Sequence, residues 1–221
     1  GFTGDVQLSV EGLPPGVTAT CGRILATGND GCIVLQTAAN APMAASNIRV
    51  IGTATHPQAE GQPPLTITQV ANPLQEIYFP GGGRGHYPVT THTVSVGEPL
   101  DIVSVKLSTT DITLKPGESQ KIDVTIVRAE GFTQNITIDV IYRHLGSIFG
   151  DSLPKGVTLD EKNSQTLLTG GQSTGSIVLV AAKDAPPVEK QLVSVMANVS
   201  LNFVMKLAYS AEPLTVTVVK P

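Results

Sequence analysis

The chain repeats itself, and the first copy lacks an opening segment that the second copy has. Three blocks recur in the same order, namely Gly1–Val6 with Gly131–Ile136, Leu13–Thr18 with Leu153–Thr158, and Gly31–Leu35 with Gly175–Leu179. A repeat of this size indicates two copies of one domain, because the units of solenoid proteins are much shorter. Residues 101–130 precede the second copy and read as strands, whereas nothing equivalent precedes Gly1.

The second copy indicates what a complete unit contains. Valine, isoleucine and threonine alternate with polar residues in short segments, and turns containing glycine and proline separate these segments. Lys121–Arg128 is the clearest case, since its strict alternation is typical of a half-buried strand. About seven such strands with regular turn signals predict an immunoglobulin-like β-sandwich. No segment of useful length has helical periodicity.

The length of 221 residues fits two domains. The predicted fold class is all-β, with two tandem immunoglobulin-like β-sandwich domains of which the first lacks its N-terminal strands. We expect the incomplete domain at residues 1–98 and the complete one at 101–221. Each ends on a matching strand, Thr93–Val96 and Thr215–Val218. The linker Gly97–Leu100 is short and contains proline, which predicts domains in line with limited swing.

The missing opening segment has a physical consequence. Without equivalents of Ile102–Arg128, the first domain would expose apolar core and an unpaired sheet edge. Three arrangements would cover the exposed core and the unpaired edge. They are an insertion folded over the gap, a strand supplied by another copy, or a smaller open sheet packed on the second domain. We expect the insertion that contains Tyr78, together with the domain junction, to cover most of the gap. The incomplete copy also predicts a fragment of a longer protein.

Charge and hydropathy exclude two classes of partner. The net charge is −4, which argues against a nucleic-acid surface, because such a surface needs a basic stripe. Residues 1–99 hold three arginines, no lysine and six acidic residues, so the first domain relies on uncharged polar residues for its surface. No run of 18 apolar residues occurs, so no membrane span is expected in this chain.

Cys21 and Cys32 are the only cysteines. They lie near the ends of two predicted neighbouring strands, where they would face each other across a hairpin and form a disulfide. The alternative is two independent buried thiols. The even count favours the bridge if the chain is extracytoplasmic. Two cysteines without a nearby histidine do not make a zinc site.

The segment Gln75–His92 is an insertion in the first copy and the strongest candidate for a contact site. It carries aromatic and basic residues around a glycine run, and the residues expected to meet a protein or glycan partner are Tyr78, Phe79, Arg84, His86 and Tyr87. The alternative is a long hairpin that covers a sheet edge or the domain junction, as most such insertions pack on their own protein. The glycine run lacks the Gly-Lys-Ser/Thr ending of a phosphate-binding loop. The second copy has its own insertion, Tyr142–Ser152.

No other residues form a recognisable chemical site. The four histidines lack metal-ligand spacing with acidic residues, although His86 and His92 would share a face if they lay on one strand. Thr27–Gly31 holds one carboxylate and is better explained as a hairpin turn than as a calcium loop. No Gly-x-Ser-x-Gly nucleophile motif occurs. We therefore expect no catalytic residues, no metal and no cofactor.

The repeated pattern resembles a known class of domains. Gly-Phe-Thr-Gly-x-Val, Leu-Pro-Pro-Gly-Val-Thr and the later Ala-Pro resemble tandem immunoglobulin-like domains of large bacterial secreted or cell-envelope proteins. The resemblance covers both copies, and its motifs are structural. It implies a β-sandwich and an extracytoplasmic location, namely secreted, periplasmic or on the cell surface. It brings no catalytic residues.

Three functions follow as hypotheses. The first is a non-catalytic structural or interaction module, a spacer or presenter whose partners are other domains of the same parent protein. The second is a carbohydrate- or protein-binding module that uses the Tyr78–Tyr87 loop. The third is an accessory domain of a secreted enzyme such as a peptidase, with catalysis located elsewhere.

Overall fold

The chain folds almost entirely into short β-strands. The computed structural model describes residues 2, 4–26, 28–202 and 205–220, and within them it contains 22 strands and no helix. The prediction of an all-β protein is confirmed. Gly1, Thr3 and Thr27, which belong to motifs named above, lie outside the described residues.

The strands fall into two sets along the chain. The first set, here called the N-terminal unit, comprises β1 (Val6–Glu11), β2 (Val17–Cys21), β3 (Arg23–Ile24), β4 (Ile33–Thr37), β5 (Ala44–His56), β6 (Leu65–Val70), β7 (Leu74–Tyr78), β8 (Arg84–Pro88) and β9 (His92–Val96). The second set, the C-terminal unit, comprises β10 (Ile102–Leu107), β11 (Asp111–Leu114), β12 (Ser119–Arg128), β13 (Ile136–Asp139), β14 (Ile141–His144), β15 (Ser147–Asp151), β16 (Val157–Leu159), β17 (Leu167–Leu168), β18 (Thr174–Ala181), β19 (Val188–Val193), β20 (Met196–Ser200), β21 (Lys206–Ser210) and β22 (Leu214–Val218).

The sheets are small and mainly antiparallel. In the N-terminal unit the order is β3-β1-β5-β6, with β9 beside the first half of the long β5, and with separate pairs β2–β4 and β7–β8. In the C-terminal unit the orders are β10-β12-β18-β16, β17-β13-β20-β21 and β11-β22-β19, with a separate pair β14–β15. The β11–β22 pair is parallel, with Ile112 opposite Val216. Across the described ranges, no strand of one unit pairs with a strand of the other.

The sequence repeat is also a repeat of strand pairing. Five pairings of the N-terminal unit have counterparts in the C-terminal unit: β1–β3 with β13–β17, β1–β5 with β13–β20, β2–β4 with β16–β18, β5–β6 with β20–β21, and β5–β9 with β19–β22. The long β5 therefore corresponds to two strands, β19 and β20. The predicted match of Thr93–Val96 with Thr215–Val218 corresponds to β9 and β22.

The repeated Leu-Pro-x-Gly-Val block makes the same turn twice. The amide of Val17 donates to the carbonyl of Pro14 at 3.1 Å, and the amide of Val157 donates to that of Pro154 at 2.9 Å. The glycines before these valines have φ values of 77° and 81°, as the third position of a type II turn requires. In both copies, the block thus forms the turn that leads into the matching strand, β2 or β16.

The two units differ in three places. Strands β10, β11 and β12 have no counterpart among the described residues of the N-terminal unit. The hairpin β7–β8 is an insertion in the N-terminal unit, and the hairpin β14–β15 is an insertion in the C-terminal unit. Both insertions are visible in the sequence as unmatched segments.

The extra strands decide how well each core is covered. The C-terminal unit has one continuous buried cluster, to which β11 and β12 contribute Ile112, Leu114, Ile122, Val124 and Ile126. The matching strands of the N-terminal unit keep the alternating pattern, but their inward positions are only half-buried, as in β1 and β2. Side chains that would be packed by β11 and β12 have no equivalent layer above them, so they keep part of their contact with water.

Candidate functional site: the cleft between the two hairpins

The two insertions meet each other across the junction between the units. In β7–β8, Glu76 is opposite His86 and Tyr78 is opposite Arg84, which places these four side chains on one face of the hairpin. That face lies against the hairpin β14–β15. The Arg84 guanidinium donates from Nη2 to the Ser147 hydroxyl at 2.8 Å.

Aromatic contacts join the same two hairpins. The ring centroids of Tyr78 and His144 are 5.9 Å apart, and those of His86 and Phe149 are 5.7 Å apart, both in edge-on geometry. Arg84 Cζ lies 5.6 Å from the Phe149 ring centroid, within the range of a cation–π contact. Each of these aromatic and cation–π contacts contributes about 0.5–1.5 kcal/mol. Together they hold the two hairpins in contact although no buried apolar core lies between them.

A charged cluster supports the N-terminal side of this contact. His86 Nε2 lies 2.7 Å from Glu76 Oε2, and Arg84 Nη1 lies 3.9 Å from the same oxygen. The pKa of Glu76 is lowered, first by the neighbouring Tyr78 hydroxyl and then by His86 and Arg84. The pKa of Tyr78 is raised, first by desolvation and then by the Glu76 carboxylate. Glu76 therefore stays ionised and orients the basic side chains that reach the other hairpin.

The contact leaves an open cleft. Its volume is about 490 Å³, and its lining includes Tyr78, His86, Tyr142, His144 and Phe149. Tyr142 is 45 % exposed, so one aromatic face is offered to solvent at the rim. Aromatic walls with a few charged groups are chemically suited to a sugar ring or to an aromatic or basic peptide side chain.

The insertion does not use all five of its predicted contact residues in the same way. Tyr78, Arg84 and His86 face the C-terminal unit. Tyr87 pairs with Gln75 on the opposite face and lies over Gly85, and Phe79 is at the turn, where its amide donates to the Gly83 carbonyl at 2.8 Å. Phe79 and Tyr87 are both exposed. Binding of an outside partner by these residues stays a prediction.

A second contact joins the units through residues of β19. Leu192 of β19 is buried in a small cluster with Cys32 and Val34 of the N-terminal unit. Beside it, the buried Gln191 donates from Nε2 to the Arg23 carbonyl at 3.1 Å, and Arg23 Nη2 donates to the Glu189 carbonyl. In both units, the residues of this contact are separate in sequence from those of the hairpin contact.

The predicted disulfide is not confirmed, because Cys21 and Cys32, both described, are free thiols. Cys21 is opposite Ile33 in the β2–β4 pair, so Cys32 is one residue out of register and its side chain joins Val34 beneath Leu192. Burial raises the pKa of Cys32 to about 11, although a hydrogen bond with Ser152 opposes this effect. Burial also raises the pKa of Cys21, opposed by a hydrogen bond with the Val10 backbone.

The remaining candidates do not come together. His86 is in β8 and His92 is in β9, and these strands pair with different partners, so the two histidines do not share a strand. Within the described ranges, no group of three or more histidine, cysteine, aspartate or glutamate side chains is placed to hold a metal ion. None of the described residues forms a helix long and apolar enough to cross a membrane.

Sequence reasoning missed the C-terminal half of this site. Tyr142, His144, Ser147 and Phe149 lie in a segment that the sequence distinguishes only as unmatched in the repeat. The available signal was that both copies carry an insertion rich in aromatic residues or histidine. Only the fold shows that the two insertions project toward each other.

Comparisons with known proteins give little further guidance. No protein-family model matches the chain, and no curated protein matches it. One solved structure, described as the S-layer protein SbsC domains 4 and 5, is similar at 11 % identity over 96 % of this chain and 77 % of that chain, with a TM-score of 0.27. A likeness of this extent carries no argument about function.

Proposed function

We propose that the chain is a non-catalytic structural module of a larger bacterial extracytoplasmic protein, a spacer or presenter that holds its two units in a fixed relative orientation. The observation that carries this proposal is the pair of separate contacts across the junction. A module that only tethered its neighbours would need the linker alone, and two interlocking insertions would have no use in it.

Two points of attachment restrict motion far more than one. A short linker with proline limits the reach of a unit but leaves it free to rotate. The Leu192 cluster and the hairpin contact add two further fixed points, one mainly apolar and one mainly aromatic and polar. Rotation about either contact would break the other.

We further propose that each unit is an immunoglobulin-like β-sandwich, with domains at residues 1–98 and 101–221. The support is the pairing of the C-terminal unit, in which three sheets contribute to one buried cluster, and its repetition in the N-terminal unit. The location of the parent protein is supported by the sequence resemblance.

Residual dipolar couplings of backbone amides test the fixed orientation. In the unaltered chain, couplings from β1–β6 and from β10–β22 should fit a single alignment tensor. The double variant Arg84→Ala, Phe149→Ala removes one of the two attachment points and should require two tensors with different magnitudes. Ile148→Ala is the matched control, because Ile148 neighbours Phe149 on β15 but is 61 % exposed.

The outcome separates a spacer from a flexible tether. If the unaltered chain already needs two tensors, the units are not held in a fixed orientation and the proposal fails. If the double variant still fits one tensor while the control behaves like the parent, the hairpin contact is not what holds the units.

A second candidate function rests on the cleft itself. The exposed ring of Tyr142 and the aromatic walls beside Glu76 favour a binding module for a glycan or a peptide side chain. Amide chemical shifts should be followed during titration with a panel of cell-wall oligosaccharides, with Tyr142→Ala and, as the control, Tyr87→Ala on the opposite face of the other hairpin. Shifts that survive Tyr142→Ala would exclude the cleft as the binding site.

A further inference from the structure

The N-terminal unit presents two strand edges whose counterparts in the C-terminal unit are paired. In the C-terminal unit, β18 is flanked on both sides, by β16 and by β12, with Ile122 opposite Ile177. Its counterpart β4 pairs with β2 alone among the described strands. On the open edge of β4, the backbone N–H and C=O groups of every second residue therefore point toward an empty strand position. In the C-terminal unit, β12 occupies the equivalent position.

The second edge is on β9. Its counterpart β22 lies between β19 and the parallel strand β11. Within the part of the chain that the structure describes, β9 has one neighbour, β5. Because β11 and β12 are joined by a single short turn in the C-terminal unit, the two open positions are those of one continuous strand–turn–strand segment.

Side-chain burial marks the same gap. Ile177 and Leu179 of β18 are 0 % exposed, while the matching Ile33 and Leu35 of β4 are half-buried. Val216 and Val218 of β22 are also buried, while the corresponding positions of β9, Val94 and Val96, are half-buried. The exposed apolar surface is thus aligned with the two open edges, as expected where one layer is absent.

We expect the insertion that contains Tyr78, together with the domain junction, to cover most of this gap, but neither strand of the insertion pairs with β4 or β9 in the described residues. The hairpin β7–β8 is occupied by its contact with β14–β15, and the junction covers the outward face of β4 through Cys32 and Val34. Beside β4, Leu35, Gln36 and Thr37 line an open cavity of about 400 Å³ whose other wall is formed by β10 and residues 209–212.

We propose that the N-terminal unit is an acceptor for a strand–turn–strand segment of polypeptide from outside these 221 residues. The segment has the pattern of Asp111–Arg128: a short strand that runs parallel to β9, a tight turn, and a longer strand antiparallel to β4 with an apolar residue at every second position. The internal repeat identifies this occupant, because it shows the same edges filled in that way. The inference does not depend on the spacer function.

A graft tests the proposal directly. A second copy of residues 101–130 is fused to the amino terminus of the full chain, so that the joint has the same sequence, Glu-Gly-Phe-Thr, as the natural junction at Glu130. We expect amide hydrogen exchange in β4 and β9 to slow at least tenfold, because added pairing and burial protect the open edges. Exchange in β18 and β22 should not change, since those edges are already paired.

The control is the same graft with Ile122→Asn and Val124→Asn made in the added copy only. This control keeps the length and the polar positions but would place amides in the core, so it should give no protection of β4. The proposal is overturned if the first graft gives no protection, or if both grafts protect equally. It is also overturned if the ungrafted chain is a dimer in which β4 and β9 are already protected, because a second copy would then be the occupant.

Discussion

Replacing Leu192 by alanine tests how strongly the apolar cluster of Leu192, Cys32 and Val34 couples the two units. Leu192 is 4 % exposed and packs on Cys32 and Val34 of the other unit. Truncation of buried leucine costs about 2–5 kcal/mol in protein cores. The cluster is small, so we take the lower limit of about 2 kcal/mol, which corresponds to a roughly 30-fold larger population of the open junction.

The Cys32 thiol reports this opening from the opposite unit. In the closed state it is buried and its pKa is raised to about 11, so alkylation at neutral pH is slow. When the junction opens, the thiol becomes accessible to the reagent and burial no longer raises its pKa. When opening and closing are fast relative to alkylation, the labelling rate follows the open population. Peptide mapping by mass spectrometry should therefore show Cys32 of Leu192→Ala alkylated about 30-fold faster than in the parent, with Cys21 as an internal reference.

Leu167→Ala is the control, since Leu167 is in the same unit but is 55 % exposed. It should leave the labelling rate of Cys32 unchanged. The reasoning is refuted if Leu192→Ala also leaves that rate unchanged. It is refuted equally if amide exchange in β12 and β18 accelerates by the same factor as the labelling, because the variant would then have destabilised its own unit and not the junction.

Two further predictions concern single groups. In a Cys21→Ser variant, the ¹³Cβ chemical shift of Cys32 should titrate with a midpoint close to pH 11 and not near the ordinary thiol value of about 9. Because the folded state keeps its proton longer than the unfolded state, the stabilising contribution of Cys32 is complete below about pH 9 and is lost between about pH 9 and 11. Gly175→Ala should lower the free energy of unfolding by about 1–3 kcal/mol in urea titrations, since a Cβ there would lie 2.5 Å from the Gln165 carbonyl oxygen. Gly150→Ala, where the nearest atom is 3.9 Å away, should leave the unfolding midpoint almost unchanged.

Local patterns predicted about seven strands in the second copy, where the structure has 13, and did not predict the contacts between the units. Alternation in Lys121–Arg128 predicts β12, and the turn chemistry around Gly16 and Gly156 predicts the start of β2 and β16, because both signals depend on neighbouring residues only. The pairing of β2 with β4 was expected, because Cys21 and Cys32 lie near the ends of two neighbouring predicted strands. The register of β2–β4 was not, and it is the register that separates Cys21 from Cys32.

The cleft was only half predictable for a related reason. A run such as Tyr78–Tyr87 shows that aromatic and basic side chains are available, but the alternation within a hairpin divides them between two faces. The face that contacts the hairpin β14–β15 is set by the position of Phe149, which lies about 70 residues later along the chain. No periodicity in either segment contains that information.

The burial of β4 shows why the two units are better regarded as one structural element than as two independent ones. In β18 the side chains buried most completely are the inward ones. In β4 the inward Ile33 and Leu35 are half-buried, whereas the outward Val34, with Cys32 just before the strand, is buried beneath Leu192. Of the apolar side chains that are buried in the described part of the N-terminal unit, Pro14 and Ile48 are the two outside this contact. An incomplete unit with so little core of its own gains its order from the junction, because apolar burial is the main favourable contribution to folding. The Leu192 contact thus helps to keep the N-terminal unit folded, although β4 and β9 each pair with only one strand in the described residues.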